Sequence, residues 1–270
     1  MPEGADKGSI VVSVGTKILL SCAPVALFLA ICIALELIFP RERYPLKARF
    51  PAAIWLLVQP ALFMLAALPV LSLWRHLGLG PLIDLRPLGF LAGSTVFLVL
   101  FDGLRYATHR IEHRFLWPVH AVHHSIQDLH AANSYAHPFE GIAEAVLVII
   151  PLSFIQAEPN VMLVVGAISG FQNVIIHSPI RLDFGRFRAI FVDASYHRVH
   201  HSIEVEHHDR NFGFLFSFWD RLFGTGHPVT AMQWPATGVE NLEPPRSFLA
   251  LLLHPLQHLR SARASGQPQR

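Results

Sequence analysis

Two apolar runs near the start of the chain, 18–39 and 52–73, constrain its fold before anything else does. As helices, both are long enough to cross the roughly 30 Å hydrocarbon layer of a bilayer. Each carries one strongly polar residue, Glu36 in the first and Gln59 in the second. Hydrophobic residues make up 52% of the chain and charged residues 15%. With its positive mean hydropathy, this balance is rare in a soluble domain. A third, shorter span is expected over 88–104. The first run is too long for a cleavable signal peptide, follows a partly acidic leader, and is succeeded by Arg41-Glu-Arg rather than a small-residue cleavage site, so it is expected to stay as an anchor.

Segments 142–157 and 161–176 form a further apolar pair, split by the helix-breaking Glu158-Pro159-Asn160. Each arm is short for a full crossing, and Glu144, Pro151 and Asn173 argue against plain lipid surroundings, so either a shallow re-entrant hairpin or a marginal crossing fits. Both geometries return the chain to the side it left. The expected fold class is therefore an all-α integral membrane protein: a bundle of about three spans plus a short apolar hairpin, under a histidine-rich helical cap. Arg41, Arg43, Lys47 and Arg49 follow the first run and arginines crowd the segment after Arg181, whereas only Arg75 and Arg86 follow the second run. The positive-inside rule then puts the cap and the C-terminus in the cytoplasm. The preference for Arg over Lys reads as a bacterial bias, hence an inner membrane. A net charge of +2 gives no argument for nucleic-acid binding.

The chain holds 17 histidines, and most are not scattered. His120-Ala-Val-His-His-Ser-Ile and His197-Arg-Val-His-His-Ser-Ile differ at one position. On a helix, positions i, i+3 and i+4 share a face, so each copy aims two or three imidazoles at one point, and two copies suggest two metals. His109 and His113 extend a helical stripe through Asp102 and Tyr106, and His177 completes the set. His109, His113, His120, His123, His124, His177, His197, His200 and His201 together supply what a dinuclear site requires. A neutral histidine packed in a core is the ordinary reading of one such residue; two matched triads count against it here.

Imidazole suits Fe, Zn, Cu and Ni alike. A site just below a membrane surface reaches the polar end of a lipid or its first methylenes, and attack on an unactivated C–H bond there needs a redox metal and O2, which favours iron. Cys22 and Cys32 both lie in the first run as packing residues. They are too few for an iron–sulfur cluster, and no G-x-G-x-x-G follows a strand pattern. Electrons must come from another protein.

Asp102-x3-Tyr106-x2-His109-Arg-x2-His113, His120-x2-His-His124, His137-Pro-x-Glu140, His177-Ser, His197-Arg-Val-His-His201, Asn211-Phe-Gly213 and Trp219-Asp-Arg-Leu-Phe-Gly-Thr225 together resemble the fatty acid hydroxylase/sterol desaturase superfamily. The resemblance covers 94–226, a catalytic domain between an anchor, 1–93, and a tail, 227–270, that carries an interfacial helix. It implies a membrane non-haem di-iron oxygenase with two Fe, replaceable by zinc on purification, and O2 as cosubstrate. An external donor such as a cytochrome b5-like protein, ferredoxin or reductase would supply electrons for hydroxylating or desaturating a lipid. The matched ligands are the nine histidines above.

Several neighbours remain candidates. Asn173 stands where some branches carry a tenth imidazole, and either binds through water or only hydrogen-bonds. His137 is a ligand or a support for one. Asp102, Glu140, Asp193 and Asp220 are carboxylates suited to accept the second ring N–H of a ligating histidine; an arginine pair or a helix cap is the structural alternative for each. His254 and His258, with Pro255 between them, are expected to be bystanders on a surface helix. His207 and His208 either line the site or are solvated loop residues, the latter being the expectation, and His76, His130 and His227 need no role. A rival reading takes His109-Arg-Ile-Glu-His113 as the H-x-x-E-H of a zinc peptidase with Glu112 as base, but it leaves both triads idle. A metal transporter would string its histidines through the spans.

Overall fold

The computed structural model describes residues 24–230 and 233–265. The start of the first apolar run, with Cys22, lies outside the described residues. The rest of that run is helix α1, Pro24–Ile38. Helix α2, Leu46–His76, contains the second run. Strand β1, Ile83–Asp84, leads through a 3-10 turn into α3, Gly89–Phe115. The segments Arg49–His76 and Arg86–Phe115 are long and apolar enough to cross a membrane, and only 11% and 22% of their most apolar windows are buried within the molecule. Side chains such as Leu65, Leu68 and Leu91 face outward, a surface that a bilayer accepts and water does not. The chain is a mostly helical membrane protein.

Helix α3 runs beyond the apolar stretch, which fades near Leu104, so one rod carries both a span and His109 and His113. After Leu116 the chain turns into α4, Trp117–His124, with Pro118 in its first turn, where no N–H is required. The first hairpin arm is α5, Glu140–Glu144, a π-helical turn over Ala145–Ile149, and α6, Ile150–Ser153. Strand β2, Ile155–Gln156, pairs in parallel with β1, and the second arm is α7, Val161–Ile175. The arms pack on α2 and α3. Gly141 sits where α5 crosses α2: a Cβ there would stand 2.7 Å from the Phe63 Cα.

The polar residues of the two apolar runs hold the loop between α4 and α5. Glu36 accepts the Ala131 N–H at 2.8 Å and pairs with Arg49. Gln59 Oε1 accepts the Ala136 N–H at 2.9 Å. His130, in the same loop, is buried with its ring 5.2 Å from that of Tyr44, so it is a packing residue of the loop.

Helix α8, Ala194–His200, and the short α9, Phe218–Leu222, complete the cap, and α10, Phe248–Ser265, packs on α4. His254 and His258 are therefore buried rather than displayed on a surface: His254 Nε2 donates to the Glu243 carbonyl at 2.9 Å, and His258 lies beside Trp117. His207 is likewise buried, held by Ser202 Oγ at 2.8 Å and by Gln233 at 3.0 Å, while His208 is exposed as expected.

Candidate metal centre

The nine histidines gather into two adjoining groups. His109, His113, His120, His124 and His200 form one, and His123, His177, His197 and His201 form the other; within each, the ligand atoms lie within 4.8 Å of one another. The heptads do not serve one group each. His120 and His124 of the first copy join the five-histidine group and its His123 joins the other, whereas His197 and His201 of the second copy join the four-histidine group and its His200 crosses back.

Ring orientation is set from behind. Nδ1 of His109 faces the Phe212 carbonyl at 3.0 Å, that of His123 the Tyr135 carbonyl at 2.9 Å, that of His177 the Asn173 carbonyl at 2.6 Å and that of His200 the Arg210 carbonyl at 2.8 Å. A carbonyl only accepts, so Nδ1 carries the hydrogen and Nε2 a lone pair. His113 Nδ1 faces the Asp209 carboxylate at 3.3 Å in the same sense. In front, the Nε2 atoms face one another: His113 and His124 at 3.1 Å, His123 and His177 at 3.3 Å, His177 and His197 at 3.1 Å, His197 and His201 at 3.1 Å. Nitrogens bound to a single ion at about 2.0–2.1 Å stand about 2.9–3.4 Å apart, so these spacings fit a shared cation. The Nε2 atoms of His120 and His200 are buried without a hydrogen-bond partner.

Burial first, and then neighbouring imidazoles, hold His123, His124, His197 and His201 well below the usual imidazole range, and His200 shifts the same way. Burial brings His177 to about 4. The rings are thus kept neutral, the form that binds metals. His120 is the exception. Burial would lower it, but Glu140, 3.5 Å from Nδ1, and Glu112, at 3.8 Å, together raise it.

A cavity of about 290 Å³ opens beside both groups, between α2, α3, α5 and α7. His109, His120, His123, His177 and His197 form one wall, and Phe63, Phe101, Ile176 and Phe214 contribute apolar surface. Asn173 lines this cavity while its carbonyl orients His177.

Residues 94–225 match the family described as fatty acid hydroxylase. These residues belong to that family. Over 209 residues the chain is 30% identical to the ornithine lipid hydroxylase OlsE of Rhizobium tropici, covering 76% of this chain and 58% of that protein. It is 31% identical over 136 residues to the alkylglycerol monooxygenase of Caenorhabditis elegans, covering 48% of this chain and 26% of that protein. It is 25% identical over 138 residues to the cholesterol 25-hydroxylase of Rattus norvegicus, covering 48% and 45% respectively. The chain thus spans less than two thirds of the length of these relatives. No solved structure matches it.

Within the matched residues, three of the four candidate carboxylates accept from groups other than a ligating histidine, and Asp193 takes the cap and arginine-pair alternative. Asp102 accepts the N–H groups of Leu215 and Phe216 at 2.8 and 3.0 Å and the indole N–H of Trp219 at 3.1 Å. Asp193 caps α8 through the Tyr196 N–H at 2.9 Å and pairs with Arg188 at 2.7 Å. Asp220 accepts from Phe212 and Gly213 N–H at 2.8 and 2.7 Å, Thr225 Oγ1 at 2.7 Å and Tyr196 Oη at 3.0 Å. These carboxylates accept from backbone N–H groups and from arginine, indole and hydroxyl donors rather than from imidazoles, and buried donors of this kind need acceptors. Asp220 still reaches the site indirectly, since the Phe212 it holds presents its carbonyl to His109. Glu140 alone among the four stands beside a ring of the set. His137 lies outside both groups; its Nδ1 accepts the Phe139 N–H at 3.1 Å and its Nε2 lies 3.4 Å from the Leu252 carbonyl.

Tyr135, Arg210 and Phe212 are not singled out in the sequence as orienting residues, since each acts through its main-chain carbonyl; Asn173, a candidate from its position, orients His177 in the same way. The H-x-x-E-H reading also meets an obstacle. His109 and His113 stand with three further histidines, and Glu112 turns to His120.

Proposed function

We propose that this chain is a membrane-bound, O2-dependent lipid hydroxylase in which the nine histidines hold two iron ions, four in one group and five in the other. The single observation that carries this reading is the facing of Nε2 atoms at 3.1–3.3 Å along His123, His177, His197 and His201, with the first two rings fixed by hydrogen bonds on their opposite side. Iron held there would supply the one-electron chemistry that activates O2.

The reaction converts a C–H bond, O2, two electrons and two protons into C–OH and water. The electrons come from an external one-electron donor protein. Loss of a second hydrogen in place of oxygen transfer would give desaturation; hydroxylation is the reading adopted, in keeping with the names of the relatives. The carbonyls of Tyr135, Asn173, Arg210 and Phe212 keep the rings from turning when the charge at the site changes. Glu140, 3.5 Å from Nδ1 of His120, places a carboxylate beside that ring. The apolar part of the cavity excludes water from the carbon to be oxidised and positions it against the His109 and His177 wall. The lipid enters from the bilayer, and the site faces the cytoplasmic side of a bacterial inner membrane.

The test is turnover in nanodiscs by iron-loaded protein supplied with a chemical reductant and isotopically labelled O2. The expected product is a lipid heavier by one labelled oxygen. A protein that binds iron yet transfers no label to any membrane lipid, and whose deletion leaves the cellular lipid profile unchanged, would refute the assignment.

A further inference from the structure

A second groove, open and of about 580 Å³, runs along α3 and is lined by none of the nine histidines. Val99, Leu100 and Leu104 line its start, within the apolar span, and Arg110 and Arg114 line its far end. Trp219 and Phe223, on and just after α9, form one side. The Phe223 ring stacks on Tyr106 with centroids 5.4 Å apart, and the Arg110 guanidinium lies 5.7 Å from the Tyr106 ring. Phe223 is nevertheless 53% exposed, and Phe115, also in the lining, 73%. Both arginines are exposed. No acidic side chain lines the groove, and neither arginine pairs with a carboxylate among the described residues.

From this groove we infer a binding site for an anionic phospholipid, separate from the cavity beside the histidines: one acyl chain lies along α3 and the phosphate meets Arg110 and Arg114. Depth supports the match. Arg110 stands about 9 Å past Leu104 along the helix axis, and the head groups begin where the roughly 30 Å hydrocarbon layer ends. Helical side chains tilt towards the N-terminus, here the membrane, so Arg114 reaches back to the same level. Exposed aromatic rings suit that interface, and a guanidinium binds phosphate through two parallel hydrogen bonds. A choline head would bring its own cation to two arginines that lack a carboxylate partner, so a head of net negative charge is favoured. A soluble protein can meet the arginines, but it cannot follow the groove down beside Leu100, which the bilayer covers.

Native mass spectrometry of the detergent-solubilised protein, titrated with lipids of identical tails, separates charge from chain. One dioleoyl phosphatidylglycerol should bind roughly tenfold more tightly than dioleoyl phosphatidylcholine, with dioleoylglycerol weaker still. Arg110→Gln with Arg114→Gln should abolish the preference and leave the phosphatidylcholine affinity unchanged, whereas Arg110→Lys with Arg114→Lys should keep most of it. Phosphatidylglycerol carrying a diazirine on its acyl chain should label residues 99–115 or 219–223. Glycerol 3-phosphate, the same charge without tails, should not displace the lipid. Equal affinity for the three lipids, a preference that survives the double Gln variant, labelling elsewhere, or displacement by glycerol 3-phosphate overturns the inference. So does a double Gln variant that shows no change in lipid binding yet loses turnover with a protein donor and keeps it with dithionite, which would assign the arginines to an acidic protein. The binding measurements need no iron, so their failure leaves the oxygenase reading untouched.

Discussion

His123 and His177 direct their Nε2 atoms at each other across 3.3 Å while each gives its Nδ1 hydrogen to a main-chain carbonyl. Two lone pairs at that separation repel, and neither ring is free to turn without breaking its bond behind. A cation between them converts the repulsion into two ligand bonds. Because each heptad feeds both groups, paired substitutions distinguish one shared site from two. His123→Ala with His177→Ala removes two ligands from the four-histidine group alone and should leave about one ion per chain. His123→Ala with His200→Ala takes one ligand from each group and should weaken both. Metal analysis after dialysis against a chelator reads the difference; identical loss in the two double variants would contradict the two-group arrangement.

The neutral state of the buried imidazoles makes stability depend on pH. Burial brings His177 to about 4, and burial with Arg49 nearby brings His130 to about 3, below the roughly 6.5 of a free imidazole. The unfolded chain therefore takes up these protons first. The stabilisation is present in full above about pH 6.5 and is lost as pH falls from there towards 4 and then 3. Thermal unfolding of the metal-free protein should show a steady fall in midpoint below about pH 6.5 and little change just above it. A midpoint insensitive to acid over that window would mean that these rings are solvated in the folded state.

The gathering of the histidines was legible because i, i+3 and i+4 spacing is a local property. Their division was not. At about 100° per residue, His123 lies about 60° to one side of His120 and His124 about 40° to the other, so a helix set between two sites serves both. Spacing alone cannot say whether that second site exists. The supports behind the rings were equally hidden, because a carbonyl such as that of Tyr135 or Arg210 belongs to every residue type. Asp102, Asp193 and Asp220 had the right chemistry for supporting rings but met backbone donors first. The burial of His254 and His258 depends on α10 docking on α4, a contact between distant parts of the chain that no local pattern announces.

Asp220 is the clearest case of a structural carboxylate whose loss should reach the metal centre. It accepts from four donors within 2.7–3.0 Å and is fully buried. Asp220→Ala leaves those donors unpaired and should destabilise the fold by several kcal/mol, at about 1–3 kcal/mol for each stranded group. The slack passes to Phe212, whose carbonyl holds His109, so iron retention should fall in the folded fraction as well. Chelator-resistant iron per folded chain measures this second effect; a variant that loses stability but keeps full metal content would restrict Asp220 to a folding role.

The crossing of α5 over α2 makes a sharper prediction, since two glycines of the hairpin differ only in surroundings. A Cβ on Gly141 would stand 2.7 Å from both the Cα and the carbonyl oxygen of Phe63, main-chain atoms that cannot swing aside. Gly166, in the middle of α7, has nothing within 4 Å of the same position. Gly166→Ala should therefore be neutral or stabilising by up to about 1 kcal/mol, the helix preference of alanine over glycine. Gly141→Ala must push α5 away from α2. Glu140, the adjacent residue, would then move from His120, and the cavity between the two helices would widen. The expected outcome is a lowered unfolding midpoint together with an altered ligand field at the iron of the five-histidine group, read by Mössbauer spectroscopy. Wild-type stability in the Gly141 variant would show that the two helices are not in contact at that point, and the placement of Glu140 against His120 would fall with it.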